Sequence, residues 1–307
     1  MPFPFLRLPL LASINVIKNI SVTQIINLIY TSSKVQELVK ISKYPVQLDV
    51  CPKSITLEHP MNPEKLEVLI VVRSELEEHQ KQIMFQQNHE QGVFTEWNDE
   101  MEGYRRIIDF LVQNFTVKCF SFKKRDYDSE VLLEYLEYPK SHGIKLDKVC
   151  IWEGSKNEQL VDRMLSACSE ASEFKLMLDC DRNFTFNGFH EFKMDTFDFF
   201  LSCVGQWFTA DHMCALINCS EVIVKHFIRW KAVDFNKFLK FWIQSTGRLR
   251  AVYLNACYSE FNPELAMNGI NNIELERNTT FQIQRDNGMK ARVMFSNALF
   301  FLQVIET

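Results

Sequence analysis

The chain has 307 residues, 47% of them hydrophobic and 26 of them Phe, with a net charge of −5 and a pI near 5.9. That composition fills a core in one large domain or two ordinary ones, and it excludes a disordered chain and a global field that would draw nucleic acid. Only 9 Gly and 9 Pro are present, and no apolar run is long enough to span a bilayer, which argues against glycine-rich phosphate loops, low-complexity linkers and a membrane segment.

Pro2, Pro4 and Pro9 hold the N-terminal entry extended, because each fixes its own φ and pushes the preceding residue out of the helical region. Arg7 and the prolines also interrupt what would be the apolar core of a secretory signal. Beyond Leu10, Ser13 is placed to cap a short helix carrying Val16, Ile17 and Ile20. Ser21 with Gln24 three residues on has the capping-box pattern that opens a second helix, onto which Ile25, Ile26, Leu28 and Ile29 crowd. Thr31, Ser32 or Ser33 opens a third, with Val35, Leu38, Val39 and Ile41 at helical spacing. A module of about forty residues buries too small a fraction of its surface to stand alone. Cys51 is the one cysteine within reach, so the cover comes from a partner or from the rest of the chain.

Strand-like runs follow at 66–72, 117–122, 148–152, 174–178, 221–224 and 249–254, with helices between most of them, among them 129–138, 157–166 and 234–245. Lys118, Lys148 and Lys175 start units 30 and 27 residues apart, and Glu221 and Arg250 lie 29 apart, with a longer step from Lys175 to Glu221. Repeating strand–helix units of this length predict an α/β chain (α+β overall) whose second part is a curved, leucine-rich-repeat-like domain. Val149, Ile151, Val222, Val224, Val252 and Leu254 alternate, as in a sheet with one face under helices and the other open as a binding surface. At the C-terminus, 280–284, Asp286-Asn287-Gly288 and 291–295 read as an antiparallel hairpin, with a last strand at 300–305 beside it.

Nine scattered Cys without a C-x-x-C pair indicate a reducing compartment, and no spacing suggests a metal site or a cofactor. Asn114, Asn183 and Asn218 stand in N-x-S/T triplets that mean little in a cytosolic chain. Lys123-Lys124-Arg125, followed by Asp126 and Asp128, reads as a solvated turn and not as a nucleic-acid patch. Catalytic motifs are lacking, and the one cluster that could carry a thiol nucleophile is Asp211-His212 beside Cys214. In 234–245, Phe235, Phe238, Leu239 and Trp242 form one apolar stripe, Lys237, Lys240 and Gln244 lie off it, Asp234 stands at the N-cap and Gly247 at the stop, which makes this a packing helix.

The N-terminal segment, with Leu8-Pro9-Leu10 and the apolar helices behind it, resembles an F-box, and more narrowly the F-box of a large nematode group whose N-termini run FP-x-L-x-L-P-x-L. The resemblance implies that Leu8, Pro9, Leu10, Val16, Ile17, Ile20, Ile25 and Leu28 pack against the Skp adaptor of a Skp–cullin–F-box ubiquitin ligase. The run 207–270 resembles the type 2 F-box-associated domain of the same proteins, through Asp234, Asn236, Phe238, Leu239, Lys240 and Trp242. Together the two motifs cover about a third of the chain and divide it into an F-box at 1–44 and an F-box-associated domain at 45–307. What this implies is a non-catalytic, intracellular substrate receptor that binds the Skp adaptor, through it a cullin, and a target protein, with no cofactor, metal, nucleic acid or membrane. The alternative is a cullin-independent scaffold or protein-interaction module.

Overall fold

Alternation of apolar residues at 46–50 and at 55–57 and the three- and four-residue spacing of Tyr104, Ile107, Ile108 and Leu111 set two periods side by side, and the fold is accordingly mixed α/β. The computed structural model describes residues 7–72, 86–87, 92–125, 129–153, 158–178, 184–201, 207–256, 262–296 and 299–305. Nine α-helices and a large sheet are found among them. Pro2, Pro4, Asp126, Asp128, Asn157 and Asn183, which enter the sequence reading, lie outside the described residues. The chain divides into two compact units, Met1–Lys124 with Tyr135–Leu146, and Arg125–Glu134 with Asp147–Thr307.

The first unit begins with α1 (Leu10–Asn19), α2 (Val22–Thr31) and α3 (Ser33–Ser42). Strands β1 (Pro45–Cys51), β2 (Ser54–His59) and β3 (Asn62–Val72) form an antiparallel meander. β4 (Gln86–Gln87) and β5 (Gly92–Trp97) extend it beyond β3, with β3 and β5 parallel. α4 (Glu100–Asn114) then leads to β6 (Thr116–Arg125), which pairs parallel with β1. Asp99 caps α4 by accepting the Glu102 N–H at 2.8 Å. Gly103 permits close approach here, since an added Cβ would lie 2.5 Å from the Trp97 ring. The run Lys123–Arg125 is the end of β6 and not a turn, and Lys123 pairs with Asp49 of β1 at 2.6 Å. α5 (Ser129–Ser141) follows; in its second half the buried Tyr135 donates its hydroxyl to Glu100 and accepts with its carbonyl from the Tyr104 hydroxyl.

In the second unit β7 (Lys145–Glu153), β8 (Glu173–Leu178), β9 (Thr196–Leu201), β10 (Glu221–Ile228) and β11 (Ala251–Ala256) lie side by side, parallel and in chain order. α6 (Glu158–Ala167), a 3-10 turn at Gly188–Glu191, α7 (Ala210–Ala215) and α8 (Ala232–Gln244) fall in the successive connections. Lys148, Glu173, Thr196, Glu221 and Ala251 stand in one register, so the units are 25, 23, 25 and 30 residues long. The long step from Lys175 to Glu221 holds an additional strand, β9. α9 (Pro263–Ala266) precedes an antiparallel run of β12 (Asn272–Glu276), β13 (Thr280–Gln284), β14 (Lys290–Ser296) and β15 (Leu299–Val304), and β15 pairs with β11. The helix-covered face is filled by aromatic rings: Phe189 lies 5.5 Å from Phe192 and 6.0 Å from Phe197, and Phe199 lies 5.5 Å from Trp207. This is where much of the Phe content is used.

Candidate interaction surfaces

The three N-terminal helices follow from their caps. α2 has the full capping box, with the Ser21 hydroxyl accepting the Gln24 N–H and the Gln24 amide oxygen accepting the Ser21 N–H. Ser32 caps α3 by accepting the Val35 N–H. α1 starts directly behind Pro9, so Ser13 is not its cap but a buried residue in its first turns, with its hydroxyl directed at the Leu8 carbonyl.

Within this module the residues matched to the adaptor-binding set divide into three groups. Ile17 and Ile25 are fully buried, together with Ile26 and Val39. Leu8, Val16, Ile20 and Leu28 are half-buried. Pro9 and Leu10 are exposed, Leu10 by 54%, and the neighbouring Leu11 by 77%. α2 packs on β2 and β3, α3 packs on α4, and the buried Tyr44 donates its hydroxyl to the Ile20 carbonyl at 2.8 Å. Gln36 of α3 donates to the Asn114 side chain of α4 at 2.8 Å. The rest of the first unit therefore covers one side of the module, and the Pro9–Leu10–Leu11 entry is left on the surface. Leu11 was absent from the sequence-derived set, although an apolar pair following a proline at a helix start is the signal that marks it.

The second set of matched residues builds a structural clamp around α8. Phe235, Phe238, Leu239 and Trp242 are all fully buried. Phe235 packs against Phe300 at 4.9 Å and Phe295 at 5.8 Å. Asp234 stands in the first turn, not at the cap: it accepts the Lys231 N–H at 2.8 Å, because the helix begins three residues earlier than the polar signal suggests. Asn236 donates to two carbonyls, those of Ala266 and Asn268, both at 2.8 Å, and so fastens the α9 turn to α8. The Lys240 ammonium lies over Gly269, whose φ of 68° needs glycine. The Trp242 ring N–H donates to the Leu249 carbonyl at 3.1 Å.

Two features of this clamp were not read from the sequence. Ser245, in extended conformation, ends α8; Gly247 serves instead a close approach, because an added Cβ would sit 2.5 Å from the Ile217 carbonyl oxygen. Arg285 is 2% exposed and lies with its guanidinium 4.3 Å from the centre of the Trp242 ring. It donates to the carbonyls of Trp242 at 3.1 Å, Gly247 at 2.7 Å and Leu249 at 3.1 Å. A cation set on the carbonyl end of a helix is favoured by the helix dipole as well as by the bonds themselves. Burial lowers the Arg285 pKa from its ordinary value.

Asp211, His212 and Cys214 do not form an activated thiol. Burial pushes the Cys214 thiol up to about 12, so it stays protonated and un-nucleophilic at neutral pH. His212 packs against Phe189, Trp207 and Phe208, and its Nδ1 accepts the Thr209 N–H at the start of α7. Burial lowers its pKa. A lowered imidazole pKa in the folded state means that the unfolded chain binds the proton more readily, so stability is full above the unfolded value of about 6.5 and declines as the pH falls below it. The unfolding midpoint is expected to drop from pH 7 to pH 5, and His212→Gln should flatten that drop. An unchanged slope in the variant would remove His212 as its source.

Among the described residues no helix is long and apolar enough to cross a membrane. No solved structure matches the chain. The chain is 26% identical to the Skn-1 dependent zygotic transcript 15 protein of Caenorhabditis elegans, over 63% of its own length and 60% of that protein's. Residues 188–255, from the 3-10 turn through β9, β10 and α8 into β11, match the F-box associated family, type 2. α8 with its buried stripe thus lies within an F-box-associated domain match, and the α9 turn and Arg285 that fasten it lie beyond the matched residues, in a chain similar to a nematode protein.

Proposed function

We propose that this chain is the substrate-receptor subunit of a Skp–cullin–F-box ubiquitin ligase, working inside the cell and making and breaking no bond itself. The observation that carries the reading is the F-box-associated domain at 188–255, preceded in the same chain by a three-helix module whose Pro9–Leu10–Leu11 entry is exposed. The first unit would grip the Skp adaptor and, through it, the cullin. The strand–helix repeats of the second, read as leucine-rich-repeat-like and capped by the antiparallel hairpin, would hold a target protein. Proximity is the contribution: a target lysine kept near a charged ubiquitin carrier reacts as if tethered.

The adaptor-binding set contracts under this reading to Leu8, Pro9 and Leu10, with Leu11 added. Val16, Ile20 and Leu28 would contribute at the margin, and Ile17 and Ile25 support the helices from inside. The burial of Ile17 and Ile25, with α2 seated on β2 and β3, is also what favours the second reading, a scaffold that works without a cullin.

Capture of the full chain by a panel of purified Skp adaptors separates the two, with the full-length double variant Leu10→Asp, Leu11→Asp as control. Binding to at least one adaptor that falls about a hundredfold in the variant supports the ligase reading, a loss of the size expected for a central interface anchor. No capture by any adaptor, or equal capture of both proteins, sinks it.

A further inference from the structure

Side chains alternate along the strands of the second unit, and those on one face are buried under the helices. A parallel sheet ordinarily has both faces covered. Here the residues of the other face, apart from Asp198, are half-buried or exposed on β10, β11, β15 and β14, and register sets them in rows. Ile223 stands opposite Tyr253, Tyr253 opposite Phe301, and Phe301 opposite Met294. Tyr253 is 36% exposed and meets Phe301 edge-on with ring centres 6.2 Å apart. With neighbouring strands about 4.8 Å apart, the stripe is about 14 Å long across β10, β11, β15 and β14. Aromatic and Met side chains gathered in a stripe with polar residues beside it have the composition of an interface centre and its rim.

Charge distinguishes the two ends of this stripe. Toward β7 the charges neutralise one another, with Lys148 on Glu173 at 2.6 Å and Lys225 on Asp198 at 2.7 Å. Toward β14 the exposed Lys290 and Arg292 share the open face, and among the described residues neither has a carboxylate within ion-pair distance. Lys290 also lines, with Arg250, a cleft of about 580 Å³ walled by Asn287, Gly288, Met289, Val304 and Ile305, with no acidic residue among the described residues of its wall. A basic corner adjoining an apolar stripe is complementary to a segment that is apolar and acidic.

We propose that the open face of the second unit docks an acidic, apolar segment of a target protein, with its large side chains on Ile223, Tyr253, Phe301 and Met294 and a carboxylate or phosphoryl group at the Lys290–Arg292 corner. The inference deepens the receptor reading by naming the chemistry of the target, and its test needs no adaptor. Short synthetic peptides with one common pattern of Leu and Phe, and Asp, phosphoserine or Lys at the intervening positions, are titrated into the full chain by fluorescence anisotropy.

The Asp or the phosphoserine peptide should bind at least about tenfold tighter than the Lys peptide, a difference of about 1.4 kcal/mol. Lys290→Glu with Arg292→Glu should reverse the order, and Tyr253→Ser should weaken the acidic peptide by about tenfold, the second variant separating docking on the stripe from attraction to basic charge alone. A phosphoserine peptide bound more tightly than the Asp peptide assigns the corner to a phosphoryl group, and equal binding assigns it to a carboxylate. Equal affinity for acidic and basic peptides, or indifference to the surface variants, overturns the proposal. Peptide discrimination without adaptor capture would remove the ligase reading and leave this face standing, whereas adaptor capture without discrimination would do the reverse.

Discussion

Arg285→Ala should destabilise the chain by about 3–5 kcal/mol, because it removes the hydrogen bonds of one charged donor to three carbonyl oxygens at once, each such bond contributing about 1.5–3 kcal/mol, with part of the loss offset because the Trp242 carbonyl keeps the Ser245 hydroxyl and the Leu249 carbonyl keeps the Trp242 ring N–H. The three belong to Trp242, Gly247 and Leu249. They span the end of α8 and the loop to β11, so the variant releases the helix that carries the stripe of Phe235, Phe238, Leu239 and Trp242. Arg285→Lys is the informative companion. An ammonium keeps the charge and can donate, but it has no planar fork to reach three diverging carbonyls; about half of the loss should remain. Urea unfolding followed by tryptophan fluorescence reads the change, and Trp242 under the guanidinium is itself a reporter. A loss below about 1 kcal/mol for the Ala variant would show that Arg285 is a passenger.

Ile17→Ala and Leu10→Ala should part company, although both residues belong to the set matched to adaptor binding. Ile17 has 0% of its surface exposed, so truncation leaves a cavity and should cost about 2–5 kcal/mol of stability. Leu10 is 54% exposed, and its truncation should change stability by less than about 0.5 kcal/mol while weakening adaptor capture. Thermal unfolding and capture measured on the same two proteins decide the matter. Equal destabilisation by both would mean that α1 packs as a core helix along its whole length, with no side reserved for a partner.

The sequence was legible where one period dominated and a polar residue marked the boundary. The Ser21–Gln24 box is such a place, and so is the stripe of Phe235, Phe238, Leu239 and Trp242. β9 alternates only over Thr196-Phe197-Asp198-Phe199 before running into Phe200-Leu201, so in this Phe-rich stretch the period is too short to stand out. β1 and β2 do alternate, at Val46, Leu48 and Val50, yet their connection is Pro52-Lys53, with Lys53 at a φ of 64° and no Asn-Gly to announce a hairpin. α4 carries both its cap at Asp99 and its apolar spacing, so its signals are present in the sequence.

The candidate sites divide in the same way. Apolar character marked Ile17 and Leu10 alike, because hydropathy does not tell a residue covered by its own chain from one left for a partner. Arg285 was unreadable for a different reason. Its carbonyl acceptors are 36 to 43 residues distant and belong to the backbone, so no residue type elsewhere in the sequence announces them.

The pairing of β15 with β11 has a consequence for biogenesis. The parallel strands are synthesised in the order in which they lie, so each can dock on its predecessor as it leaves the ribosome. The rim of β11 is different, because the strand that seals it is made last, after the excursion through β12, β13 and β14. Until about residue 304 has emerged, the nascent protein shows an unpaired row of amides on β11 and, before residue 285, an unfastened end of α8. Translational pausing within 257–299 would prolong that exposure, which makes this interval the one in which a chaperone holding the chain would have most effect.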